Sequence, residues 1–160
     1  DYEHDCKDLF GIPIHITGIG KINAAINTTK LIYEHDPDIV INFGSCGNLK
    51  DYKIGEVLEV GTVINDLDTL GFYNQVSNIL TTDHMYDSSH DDYVESYMEK
   101  IDECDIVDME LFSIAESCKI AKKFLYSYKW VSDDGSNDEW LENAKAGFNN
   151  FKQIFKSKHL

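Results

Sequence analysis

The residues of this chain best suited to chemistry are two acidic segments, each following an apolar run. Asp108-Met109-Glu110 follows Cys104–Val107, and Ser132-Asp133 follows Phe124–Val131. In open α/β sheets, ligands bind in the crevice outside the carboxyl ends of the strands. Carboxylates delivered there from two strands can act on one small molecule. Each segment also has a structural reading: Asp108 as N-cap of the next helix, Asp133 as the first residue of an acidic turn.

Two glycine segments tip the balance toward a site. Gly18-Ile19-Gly20-Lys21 joins an apolar run to a helical pattern, a turn able to hold an anion at a helix N-terminus. It completes neither the dinucleotide fingerprint nor the P-loop, so tight geometry explains it equally well. Gly44-Ser45-Cys46-Gly47 lets backbone approach a ligand closely, and Ser45 adds a hydroxyl. A glycine-rich turn is its plain alternative. No histidine partner marks Cys46 as a nucleophile. Met85 and Tyr86, after Thr81-Thr82-Asp83-His84, can line a flat slot for an aromatic ring or belong to the core. Trp140 reads as helix packing, near enough to its helix start to roof a pocket.

These segments need a frame of alternating strands and helices. The expected strands are Ile12–Thr17, Asp38–Phe43, Glu56–Ile64, Ile79–Thr82, Cys104–Val107 and Phe124–Val131. The expected helices are Ile22–His35, Asp91–Lys100, Leu111–Lys122 and 138–155. In the first, Ile22, Ala25, Ile26, Leu31 and Ile32 fall near helical spacing. The pattern predicts one α/β domain over residues 1–160, layered α/β/α around a mixed, mostly parallel sheet.

Bulk properties narrow the partners. A net charge of −15 over 160 residues argues against nucleic acid and anionic membrane surfaces, which require a basic footprint. No apolar run is long enough to span a bilayer. Cys6, Cys46, Cys104 and Cys118 lack metal-ligand spacing, so reduced thiols in the cytoplasm are the simplest account, with no metal or cofactor. All 14 cationic residues are lysine.

Taken in order, GIGKINAA (18–25), INFGSCGNL (41–49), IGEVLEVG (54–61), IVDMELFSIAESC (106–118) and WVSDDGS (130–136) resemble the nucleoside phosphorylase/nucleosidase superfamily. Within it they are most similar to the 5′-methylthioadenosine/S-adenosylhomocysteine nucleosidases. The resemblance implies hydrolysis of a purine nucleoside N-glycosidic bond, releasing adenine. It implies that Asp133 faces the purine N7 as acid and Glu110 holds the ribose 2′- and 3′-hydroxyls, with Met109 on the sugar. Ser45, with Cys46 and Gly47, would flank the sugar and the attacking water; Met85 would stack on the base and Tyr86 read its edge. Ser132, Lys129 and Trp140 complete the implied binding set, and a homodimer is implied as well.

Asn42 stands where the superfamily's phosphorylases carry a phosphate-binding arginine, and Lys129 where its nucleosidases carry an arginine. Water is therefore the expected nucleophile. A phosphate-dependent phosphorylase and a catalytically silent nucleoside-binding protein are the alternatives. The resemblance also places a first strand, bearing the glutamate that activates water, ahead of the matching region. Glu3 does not fit that motif, so either this strand is missing from the chain as given or the water is activated otherwise.

Overall fold

The computed structural model describes residues 7–65, 69–71, 77–82, 101–134 and 140–160. The expected helix at Asp91–Lys100 and the pair Met85 and Tyr86 lie outside them. A two-stranded hairpin opens the described chain, with β1 (Asp8–Leu9) antiparallel to β2 (Ile12–Pro13). Then follow α1 (Lys21–His35), β3 (Ile39–Asn48), β4 (Val57–Ile64), β5 (Thr69–Gly71) and β6 (Ser77–Thr81). The order finishes with β7 (Ile106–Asp108), α2 (Leu111–Ala121), β8 (Phe124–Asp133) and α3 (Trp140–His159).

Six strands form one sheet in the order β5-β4-β6-β7-β3-β8, and β4 also pairs with β8. The ladder from β4 through β6, β7, β3 and β8 thus returns to β4. An open sheet is the wrong picture for this part of the molecule. The sheet is mixed: β3–β8, β4–β6 and β6–β7 are parallel, and β3–β7, β4–β5 and β4–β8 antiparallel, with the longer ladders among the parallel pairs. The longest ladder, β3 with β8, is parallel and runs from Ile39↔Phe124 to Gly47↔Asp133.

Side chains alternate across strands, and here they feed two cores. Leu125 and Val131 of β8 join Ala24 and Ile32 of α1 and Ile114 and Ala115 of α2. Tyr128 and Trp130 join Phe151 and Phe155 of α3, with Phe43 of β3 packed against them. Gly147 lets α3 lie directly on Trp130; a Cβ there would sit 2.1 Å from the Trp130 Cδ1. In α2, Leu111, Ile114, Ala115 and Cys118 are buried at helical spacing, as their order predicts.

Several elements differ from expectation. Ile12–Thr17 makes strand pairing only at Ile12–Pro13, inside the hairpin; residues 14–19 have no strand beside them among the described residues. Helix α1 buries Ala24, Thr28 and Ile32, whereas Ile22 and Ile26 are exposed. The partner surface is the neighbouring α2, and small residues let two helices approach. Gly44-Ser45-Cys46-Gly47 is no turn. It continues β3, with a register shift between Cys46 and Gly47. Likewise Ser132 and Asp133 end β8 instead of following it.

Candidate functional site

The parallel strands β3 and β8 bring Ser45, Cys46, Ser132 and Asp133 to one end of the sheet. There β7 meets the tip of β3 in antiparallel register, Gly47 opposite Val107. Asp108, Met109 and Glu110 therefore turn into α2 beside the same tip. A cavity of about 980 Å³ opens here, lined by Ser45, Cys46, Gly47, Asp108, Met109 and Glu110. Lys129, Ser132, Asp133 and Trp140 line it too. Every described residue of the binding set implied by the resemblance lines this space, whereas Gly20 and Lys21 of the first glycine segment do not. Coordinates with Glu110 and Asp133 on opposite sides of the molecule would have ended the two-carboxylate reading; instead one cavity holds both.

Asp108 is the polar hub beneath the cavity. It is buried and accepts hydrogen bonds from the Thr81 hydroxyl at 2.7 Å and the Leu111 amide at 2.9 Å. The second bond meets the amide of the first residue of α2, but the N-cap position belongs to Glu110, so Asp108 is not the N-cap that the sequence suggested. Lys129 Nζ lies 2.8 Å from Asp108 Oδ2, with both side chains almost wholly buried. Burial by itself pushes the Lys129 ammonium down, but the Asp108 and Glu110 carboxylates outweigh it and hold its pKa above the ordinary lysine value. Lys129 thus lines the cavity with its charge already matched inside the protein.

Glu110 Oε1 accepts the Gly20 amide at 2.8 Å, and Oε2 accepts the Met109 amide at 3.3 Å. Gly20 has φ 86° and stands at the N-terminus of α1. The anion held by the Gly18-Ile19-Gly20 turn is thus the protein's own carboxylate, favourably placed at a helix N-terminus. Burial raises the Glu110 pKa above the usual glutamate value, and the Asp108 charge raises it further; Lys129 and the two amides oppose the shift.

Asp133, partly exposed at the end of β8, is met by its neighbour: Ser132 Oγ lies 2.8 Å from Asp133 Oδ2 and 3.1 Å from the Cys46 carbonyl. One hydroxyl proton serves only one of these acceptors at a time. Asn143 of α3 donates to the Ser132 carbonyl at 2.9 Å, tying the α3 start to the strand end. The Cys46 thiol donates to the Trp130 carbonyl at 3.3 Å, and burial pushes its pKa far above the ordinary thiol value. A thiol held protonated is no nucleophile, as the missing histidine partner suggested.

Sequence reasoning missed Thr81 and Asn143, whose contributions lie in contacts with β7 and β8 made across the chain. No spacing signal marks either one. No group of three or more potential metal ligands occurs among the described residues, and no described helix is long and apolar enough to cross a membrane.

Comparison with known proteins finds the same fold. Residues 12–77 match the family described as the Phosphorylase superfamily. A 5′-methylthioadenosine/S-adenosylhomocysteine nucleosidase from Exiguobacterium is 48% identical over 66 residues, which are 38% of this chain and 28% of that relative. The chain therefore matches less than a third of that relative's length. Among solved structures, the nucleosidase of that name from Colwellia psychrerythraea, in complex with adenine, superimposes with TM-score 0.79 at 19% identity. It covers 92% of this chain and 78% of its own. The one from Neisseria meningitidis, in complex with methylthio-immucillin-A, gives TM-score 0.75 at 23% identity over 87% of this chain and 77% of that one. Residues 12–77 are thus similar to the Phosphorylase superfamily, and the chain shares its fold with solved methylthioadenosine/S-adenosylhomocysteine nucleosidases.

Proposed function

We propose that this cavity hydrolyses the N-glycosidic bond of 5′-methylthioadenosine or S-adenosylhomocysteine and releases adenine. The observation that carries the reading is that Glu110 and Asp133 line a single cavity in a chain whose relatives bear that name. As the bond from sugar to N9 breaks, its electron pair leaves with the base, and Asp133 stabilises the departing purine by giving a proton or strong hydrogen bond to N7. Ionised Glu110 accepts the 2′- and 3′-hydroxyl protons and favours the cationic, oxocarbenium-like sugar. Its two amide donors orient it, and pairing of Lys129 with Asp108 removes a competing negative charge from its side. Met109 packs on the sugar; Ser45, Cys46 and Gly47 flank it; Met85 and Tyr86 hold the base; Trp140 roofs the opening.

Water is the nucleophile. It adds to the anomeric carbon, and the proton it loses passes to solvent, balancing the proton that the departing base takes up. A phosphate dianion needs fixed positive charge, best from bidentate guanidinium; the chain has no arginine, and Lys129 is spent on Asp108. The reading includes a single layered α/β/α domain over 1–160 that lacks one strand, and cytoplasmic thiols, for which the buried, unbridged Cys46, Cys104 and Cys118 speak. It also includes a homodimer, supported by the apolar stripe Ile22, Ile26 and Tyr33 exposed along α1.

The test is chromatographic detection of adenine from 5′-methylthioadenosine in phosphate-free buffer. Asp133→Asn is expected to lower the rate by about 10²-fold or more, the usual worth of a positioned acid. Strict dependence on phosphate would instead make the protein a phosphorylase. Binding without any release would make it a nucleoside-binding protein.

A further inference from the structure

Two histidines have no part in the reading above. His15 lies on the segment between β2 and α1, and His35 is the last residue of α1. Their ring centroids are 5.1 Å apart and their planes 37° from parallel. Both residues are exposed, and neither ring makes a hydrogen bond or ion pair with any described residue. The backbone holds both in place. On either side of His15, the Ile14 amide donates to the Lys7 carbonyl at 3.1 Å and the Thr17 carbonyl accepts the Asn27 side-chain amide at 2.8 Å. Just after His35, the Asp36 amide donates to the Ile32 carbonyl at 2.9 Å, and the Asp36 carboxylate holds Lys123 at 2.6 Å.

Water can meet the free ring nitrogens, so the separation of the rings carries the argument. Zinc sits about 2.0–2.1 Å from an imidazole nitrogen, which puts each ring centre about 3.2 Å from the ion. At a tetrahedral angle of about 109° two such centres are about 5.2 Å apart, whereas a right angle brings them to about 4.5 Å. The observed 5.1 Å is the tetrahedral spacing. Charge favours a cation at this place. His35 stands at the negative end of the α1 dipole. Glu34, Asp36 and Asp38 lie within three residues of it, in a chain of net charge −15; Lys30 and Lys123 meet only the first two.

We propose that His15 and His35 form a two-imidazole site for a zinc ion, with water on its remaining positions. Imidazole nitrogen selects zinc and its transition-metal neighbours over magnesium and calcium, which take oxygen ligands. Two protein ligands are fewer than a closed structural centre or a catalytic one supplies. The ion therefore exchanges readily and acts as a removable staple between residues 14–17 and the last turn of α1. The stapled run leads on to Gly20, whose amide holds Glu110. The inference rests on the geometry of the two rings and is independent of the nucleosidase reading.

The test is a titration of the isotopically labelled, chelator-treated 160-residue chain with zinc chloride, followed by imidazole nitrogen NMR. The His15 and His35 rings are expected to shift together and saturate together. Both residues are exposed, so replacing either leaves the fold intact, which circular dichroism checks. In His15→Gln the zinc concentration for half of the His35 shift is expected to rise at least about tenfold, and the converse holds in His35→Gln, because the second of two linked ligands binds at high effective concentration. Zinc is also expected to raise the thermal midpoint of the parent and of neither variant, with reversal by chelator. Magnesium chloride at the same concentration is expected to do none of this. The proposal is overturned if the two rings do not shift together at saturating zinc, or if either titrates unchanged when the other is replaced. It is also overturned if the parent midpoint fails to rise, if the variants gain as much, or if magnesium acts as zinc does, which would make the effect one of general charge screening.

Discussion

Replacing Lys129 by Met tests the ion pair beneath the cavity. Methionine keeps most of the apolar stem and removes the ammonium, leaving Asp108 buried with a carboxylate whose cation is gone. Lys129 is 2% exposed and its Nζ is 2.8 Å from Asp108. Breaking such a buried pair from one side typically costs about 3–5 kcal/mol. Thr81 and the Leu111 amide still solvate Asp108, which favours the lower end, about 3 kcal/mol. Against a total stability of about 5–15 kcal/mol that is a large fraction. Urea denaturation at pH 7, followed by circular dichroism, reads it as a lowered midpoint at unchanged slope. Adding Asp108→Asn to Lys129→Met is expected to cost less than the sum of the single changes.

The pH dependence has a definite sign. A lysine whose folded pKa is raised contributes stability fully below the unfolded value, about 10.4, and loses it as pH climbs through the folded value. Parent and Lys129→Met should therefore differ most at pH 7–9 and converge in stronger alkali. A cost below about 1 kcal/mol at pH 7, the level of an exposed pair, would refute the reasoning.

Other consequences follow from the same contacts. Glu110 is a carboxyl with raised pKa, so its contribution to stability is full below the unfolded value and lost as pH rises through the folded one. Glu110→Gln is expected to raise the urea midpoint at pH 7, flatten the slope of stability against pH just above the unfolded value, and abolish adenine release. Gly147→Ala places a methyl 2.1 Å from the Trp130 ring. Overpacking of about 1–3 kcal/mol or more outweighs a helix-propensity gain of about 1 kcal/mol, so calorimetry should show a lower melting temperature.

Helices α1, α2 and α3 and most of the described strands were legible because apolar periodicity is local. Asp108 could be read both as a cap and as a site residue; it lines the cavity and accepts the Leu111 amide, while the N-cap position of α2 is Glu110. Gly44–Gly47 misled because glycine suggests a turn, whereas here none of the four needs a positive φ; Gly44 brings backbone close to the Lys129 ammonium, 3.5 Å from where its Cβ would be. The buried face of α1 was not legible because Ala24 and Thr28 are buried against a helix some 90 residues on, and nothing local shows that small residues win there. The closing of the sheet through β4 and β8 and the hub of Thr81, Asp108 and Lys129 depend on long-range pairing. Sequence order alone carries no trace of them.

The central claim is that the carboxylates at 110 and 133 grip one nucleoside from two sides. A crystal structure of the chain with a non-hydrolysable 5′-methylthio adenosine analogue tests it most directly. The account predicts ribose hydroxyls within hydrogen-bond distance of Glu110 and the purine N7 facing Asp133. An analogue bound elsewhere, or seated with neither carboxylate in contact, would contradict it.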